Sequence, residues 1–148
     1  MFVCHGNICR SPMAEFLMKY LVEKKGAVDN FLIKSSATSS EELGNPVHYG
    51  TKGVLDRLGI SCKGKYAVKL TAKEYGEYDY FVGMDKANIR NMKNLFGGDP
   101  ENKVSLLLDY VGHSRDVADP WWTGNFEETY RDVSAGVEAF YDFLTKKD

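Results

Sequence analysis

The sequence predicts an α/β protein: a single-domain, three-layer sandwich in which a four-stranded parallel sheet carries helices on both faces. Short apolar runs alternate with helix-period segments along the whole chain, which is the pattern of successive β-α-β units. At 148 residues the chain has the length of one ordinary domain and is long enough to bury a full core. No internal repeat, low-complexity tract or linker divides it, so residues 1–148 are expected to form one unit.

The elements follow in order. Met1 to Val3 is the first strand candidate, and a helix is predicted from Ser11 to about Lys25. Pro12 fits the first turn, where its missing N–H and fixed φ cost nothing, and Gly26 closes the helix. Met13, Leu17, Tyr20, Leu21 and Lys24 lie along one side of it. Phe31 to Ser35 reads as the second strand, Val47 to Leu58 as a helix and Tyr66 to Val68 as a weak strand. Next come a short helix over Thr71 to Tyr75, a strand over Tyr78 to Met84, a helix over Lys86 to Leu95 and a strand over Val104 to Leu108. The last helix, Phe126 to about Lys146, places Phe126, Tyr130, Val133, Val137, Phe140 and Leu144 on one core-facing stripe.

Composition narrows the class of function. A hydrophobic share of 43% and a charged share of 27% are those of a globular protein, and a net charge of −2 with dispersed basic residues gives no support for nucleic-acid or membrane binding. No apolar run approaches the roughly 18 residues of a membrane helix, and no signal peptide is legible, so a cytoplasmic location is expected. Three cysteines, an odd number, argue for reduced thiols rather than a disulfide framework. Cys4, His5 and Cys9 cluster, but Cys62, His48 and His113 are single and widely spaced, so no metal site is expected.

Chemistry concentrates at the start of the chain, which reads Cys4, His5, Gly6, Asn7, Ile8, Cys9, Arg10, Ser11, Pro12. A short loop joining a strand to a helix can curl so that successive amide N–H groups point inward and cradle an oxyanion at the positive end of the helix. Gly6 and Asn7 are residue types that tolerate left-handed backbone. Arg10 closes the cradle, because its planar fork can hold two phosphate oxygens at once. The same donors favour Cys4 as a reactive thiolate. Ser11 is placed to donate to that sulfur and ease its departure when a covalent intermediate breaks down.

A second candidate lies in Asp119-Pro120-Trp121-Trp122-Thr123-Gly124, between the last strand and the last helix. Loops there reach the side on which an open α/β sheet presents ligand sites. Asp-Pro is also a common turn element, so the pair alone is ambiguous. Two adjacent indoles on a polar loop read as a stacking wall more readily than as core.

From Val3 to Pro12 the sequence resembles the ten-position signature of the low-molecular-weight protein tyrosine phosphatases. The resemblance implies hydrolysis of phosphotyrosine in proteins, and of small aryl phosphates, through a cysteinyl-phosphate intermediate without a cofactor. Cys4 is then the nucleophile, and Arg10 stabilises the transferring group. His5, Gly6, Asn7, Ile8, Cys9, Arg10 and Ser11 form the phosphate-binding loop. Asp119 matches the family's general acid and base, and Trp121 and Trp122 stand where the family has an aromatic pair lining the cleft. Asn7, Ser11, Ser35 and Asp85 match supporting residues. Cys9 is expected to face Cys4 and to form a reversible disulfide with it. The implied partner is a tyrosine-phosphorylated protein, and the chain is expected to be a monomer with at most weak self-association.

Three departures from the family stand out. Only Met1, Phe2 and Val3 precede Cys4, so the central strand is expected to be short, or the chain to start late, with looser support under the nucleophile. In the segment Ser35 to Asn45, Glu41 replaces a common aromatic residue, predicting a more acidic cleft. Lys65, Tyr66, Ala67 and Val68 stand where relatives carry His-x-Ala-Arg, and no role is transferred to them. The alternatives are a protein arginine phosphatase, which typically has threonine at the position of Ile8, an arsenate reductase, which needs more relay cysteines, and a phosphopeptide-binding module without turnover.

Overall fold

The computed structural model describes residues 1–146. Four strands, β1 (Phe2–Cys4), β2 (Ser35–Ala37), β3 (Phe81–Gly83) and β4 (Val104–Leu106), form one parallel sheet in the order β2-β1-β3-β4. The helices are α1 (Arg10–Lys24), α2 (Tyr49–Arg57), α3 (Lys86–Phe96), the single turn α4 (Pro120–Thr123) and α5 (Phe126–Thr145). Among the described residues no helix is long and apolar enough to cross a membrane.

Strand alternation divides the core into two layers. Phe2, Cys4 and Val82 face one side and pack with Met13, Val54, Leu55, Val133, Val137 and Phe140 of α1, α2 and α5. Val3 and Phe81 face the other side, where they meet Leu70, Met92 and Val104. The three-layer, four-stranded architecture expected from the alternation is therefore present, and the stripe expected on α5 lies in the first layer.

Several boundaries differ from the sequence reading. The second strand is Ser35–Ala37, not Phe31 to Ser35: Phe31 stacks on Tyr141 at 5.8 Å, and the ladder begins where Phe2 N donates to Lys34 O. Apolar character there reports packing against α5, not strand pairing. Tyr66 to Val68 is no strand; isolated bridges join Ala37 to Lys69 and Pro46 to Tyr66. The helix predicted over Thr71 to Tyr75 is a 3-10 segment, Ala72–Gly76, opened by a reciprocal Thr71–Glu74 capping box.

On α1, Tyr20 and Lys24 are exposed, with Lys24 Nζ over the Tyr20 ring at 4.9 Å, and Ala14, Met18 and Val22 are buried with Met13 and Leu17. The helix is enclosed by the sheet, α2 and α5, so its buried arc is wider than one stripe. β1 is as long as each of the other three strands and is paired on both sides, with Phe2, Val3 and Cys4 all buried.

Sheet order places the site. The strand order reverses between β1 and β3, and the connections leaving their carboxyl ends flank a crevice, the position at which open α/β sheets bind ligands.

Candidate active site

β1 ends at Cys4 and α1 begins at Arg10, so His5 to Cys9 make the whole connection. The curl needs one left-handed residue, and it is Asn7, at φ 60°. Gly6 is not left-handed; its role is room, because a Cβ there would stand 3.2 Å from Glu42 Cγ. Cys9 occupies the N-cap position of α1 without a side-chain cap. Among the described residues no protein acceptor takes the amides of Gly6, Ile8, Cys9 or Arg10, leaving them as donors at the positive end of the helix.

A directed hydrogen-bond chain underlies the loop. Asn7 Nδ2 donates to Ser11 Oγ at 2.8 Å and to Ser35 Oγ at 2.9 Å, and Asn7 Oδ1 accepts Val68 N at 3.1 Å. Ser35 Oγ in turn donates to Glu15 Oε1 at 2.5 Å. Ser11 Oγ, already an acceptor from Asn7, lies 3.0 Å from Cys4 Sγ, so its own proton is free to point at the sulfur. The amide of Asn7 also donates to Cys4 Sγ, at 3.3 Å.

Arg10 is 2% exposed and is aimed by three acceptors from distant parts of the chain. One terminal nitrogen, Nη1, donates to Asp85 Oδ2 at 2.8 Å and to Val117 O at 3.0 Å, and Nη2 approaches Asp119 Oδ2 at 3.4 Å. Burial works against the guanidinium charge, but Cys4, Asp119 and Asp85 outweigh it and the pKa is raised. Asp85 Oδ1 also accepts Asn88 N and so caps α3, which fixes the carboxylate under Arg10.

Asp119 caps α4, its Oδ1 accepting Trp121 N at 3.1 Å, with Pro120 opening the turn. The segment expected to be a loop therefore contains one helical turn. Trp121 and Trp122 are 53% and 82% exposed and both line the cleft, so neither packs into the core.

The cleft has a volume of about 560 Å³. Cys4, His5, Gly6, Ile8, Cys9 and Arg10 make its floor, and Asp85, Asp119, Trp121 and Trp122 stand around it. Asn7, Ser11 and Ser35 are buried beneath the loop. The residues expected in the phosphate loop, the Asp119 turn and their supports thus meet at one locus, whereas Cys62 lies in a separate cavity. Glu41 and Glu42 add an acidic rim, and Glu41 Oε2 pairs with His5 Nε2 at 2.9 Å. The Cys9 thiol is pushed up to about 12, by burial first and then by the charges of Cys4 and Asp119. Among the described residues no group of three or more His, Cys, Asp or Glu side chains is placed to hold a metal ion.

Sequence reasoning missed Glu15, Lys65 and His48. Glu15 is 3% exposed and takes Lys19 Nζ at 2.5 Å besides Ser35, and Lys65 Nζ donates to Ser35 O at 2.9 Å, 3.7 Å from Glu15 Oε1. A carboxylate inside the apolar run Met13 to Leu17 was the available signal. Lys65 and His48 had none, because both are recruited by contacts between separate elements.

Fold and cleft together are those of an α/β phosphatase, with a loop that runs from a cysteine to an arginine at the floor of the cleft. The family model for low molecular weight phosphotyrosine protein phosphatase matches residues 1–148. The chain belongs to that family, whose members are phosphoric monoester hydrolases. It is 38% identical over 149 residues to the low molecular weight protein-tyrosine-phosphatase YfkJ of Bacillus subtilis, covering 99% of this chain and 96% of that protein. The crystal structure of YfkJ superposes with a TM-score of 0.95 at 39% identity, covering 98% and 92% of the two chains. A Streptococcus pyogenes low molecular weight protein tyrosine phosphatase gives 0.88 at 40% identity, covering 99% and 92%. A Drosophila arginine phosphatase gives 0.91 at 25% identity, covering 99% and 98%.

Proposed function

We propose that this enzyme hydrolyses phosphotyrosine in proteins in two steps, with Cys4 as nucleophile, Arg10 as the clamp on the transferring phosphoryl group and Asp119 as general acid and base. The observation that carries this reading is the 3.0 Å contact between Cys4 Sγ and Ser11 Oγ at the floor of a cleft that Arg10 and Asp119 face. In the first step the Cys4 thiolate forms an S–P bond as the P–O bond to the aryl oxygen breaks, and Asp119 gives its proton to that oxygen. Arg10 and the loop amides stabilise the equatorial oxygens. In the second step Asp119 takes a proton from water, the water oxygen attacks phosphorus, and Ser11 donates to the departing sulfur.

His5, Gly6, Asn7, Ile8 and Cys9 shape the phosphate cradle, Asn7, Ser11, Ser35 and Asp85 support it, and the indoles of Trp121 and Trp122 wall the substrate ring. The apolar Ile8 and the paired indoles favour an aryl phosphate over phosphoarginine. The reading extends to a cytoplasmic enzyme, for which the odd number of cysteines speaks, and to a monomer with at most weak self-association.

Cys4 and Cys9 form a redox pair in this reading. Hydrogen peroxide oxidises the Cys4 thiolate to a sulfenic acid, the Cys9 sulfur displaces water to give a disulfide, and a thiol reductant returns the two electrons. A Cys9→Ser enzyme recovering as fully from peroxide as the parent counts against it.

The main test is phosphate release from a phosphotyrosyl and a phosphoarginyl peptide in parallel, with the parent and Cys4→Ser chains and no added metal. Cys4-dependent release with phosphotyrosine preferred is expected. A phosphoarginine preference moves the activity to the arginine phosphatases, and no release from either peptide overturns the enzymatic reading.

A further inference from the structure

Trp121 forms a wall of the cleft although it is 53% exposed, so burial alone does not hold its indole in place. Among the described residues its one aromatic neighbour is His48, whose ring meets it edge-on at 5.7 Å and 78°. His48 is itself tightly constrained. Its ring lies against Phe126 at 5.1 Å and 16° and against Tyr49 at 4.3 Å and 30°. Its Nδ1 accepts the Gly50 amide at 3.1 Å, which fixes the tautomer with the proton on Nε2 and locks the ring to the start of α2. Its backbone N–H donates to Ile8 O at 2.9 Å, inside the phosphate loop.

The contact with Phe126 depends on Gly50. A Cβ at that position would stand 2.4 Å from the Phe126 ring, so only glycine admits the ring beside the first turn of α2. Phe126 opens α5 directly after the Asp119 turn and also packs on the cluster of Ile8, Cys9 and Ala67. His48 therefore touches the phosphate loop through its backbone and the turn that carries Asp119 through its ring.

From this arrangement we infer that His48 is a positioning residue for the aromatic wall: it fixes the Trp121 indole relative to the phosphate cradle and so sets the affinity for aryl phosphates. The inference rests on the cleft being a phosphomonoester site. It separates two kinds of binding, since inorganic phosphate needs only the cradle, whereas an aryl phosphate needs the cradle and the wall together.

The test uses the full chain and two variants. His48→Asn keeps a cap acceptor for Gly50 and removes the ring, whereas His48→Phe keeps a ring and removes the acceptor. His48→Asn is expected to raise KM for phosphotyrosine about 5-fold, the scale of one lost aromatic pair, while the inhibition constant for inorganic phosphate stays within about 2-fold. His48→Phe is expected to restore KM, and the effect of His48→Asn is expected to vanish in a Trp121→Ala background. A parallel rise in the phosphate constant, no rescue by phenylalanine, or additivity with Trp121→Ala overturns the inference.

One further measurement needs no His48 variant. With Trp122→Phe, Trp121 is the sole tryptophan, and its fluorescence anisotropy is expected to report overall tumbling. Free local rotation of that indole overturns the inference even if the variants do not fold. Loss of all Cys4 dependence in the parent would instead remove the phosphatase reading, an outcome that the anisotropy distinguishes.

Discussion

Ser35 gives its hydroxyl proton to Glu15 at 2.5 Å, a bond buried beneath the phosphate loop. It sets the direction of every bond above it. With Ser35 donating to Glu15, Asn7 must donate to Ser35 and to Ser11, and the Ser11 proton is left for Cys4. A carboxylate remote from the cleft thereby determines which hydrogen reaches the nucleophile.

Glu15→Ala removes the acceptor for Ser35 and strands the cations of Lys19 and Lys65. Lys65 is mostly enclosed, and burial already lowers its pKa against the pull of Glu15. Breaking a buried pair from one side is expected to cost about 3 kcal/mol, read as a shift in the denaturation midpoint at unchanged slope. The kcat is expected to fall as well, because Ser11 loses its fixed orientation. A variant as stable as the parent would show that this network does not support the loop.

Asp119→Asn keeps the cap on Trp121 N and removes the proton donor. Arg10 retains Asp85 and Val117 O, so the cradle is expected to keep its affinity for inorganic phosphate. The expected loss in kcat is about 10² to 10⁴, deepest for aryl phosphates with the poorest leaving groups. A series of substituted phenyl phosphates reads this directly, and a loss independent of the leaving group would rule out proton donation by Asp119.

The Cys9 thiol, pushed up to about 12 from 9.0, holds its proton more tightly in the folded protein than in the unfolded chain. Its contribution to stability is therefore complete below the unfolded value and is lost as pH rises through the folded one. Between pH 9 and pH 11 the melting temperature of the parent is expected to fall more steeply than that of Cys9→Ala. Equal slopes would mean that Cys9 does not titrate in folding.

Two glycines should respond in opposite senses. A helix-interior Gly→Ala change is ordinarily stabilising by about 1 kcal/mol, and Gly53→Ala is expected to show this gain because a Cβ there meets nothing within 4 Å. At Gly136 a Cβ would lie 2.4 Å from Leu107 Cγ, itself fully buried, so overpacking of about 1 to 3 kcal/mol outweighs the helix gain. Chemical denaturation of both variants checks the reversal of sign.

The class of protein, the phosphate loop and the α5 stripe were legible in the order of residues alone. These are written in contiguous or regularly spaced residues: Val3 to Pro12 specify a curl locally, and a period of 3.6 specifies a buried face whatever it packs against. The rest came from packing between separate elements. Hydrophobic runs record burial but not which backbones pair, so Phe31 to Ile33 read as strand although the ladder starts at Ser35. The setting of Arg10 by Asp85 and Asp119, 75 and 109 positions away, follows from the sheet order, which brings the ends of β1 and β3 to one crevice with the Asp119 turn beside them. Glu15, Lys65 and His48 acquire their roles in the same way, since a side chain's partners across separate elements are fixed by the crossings of the chain and not by its neighbours in sequence.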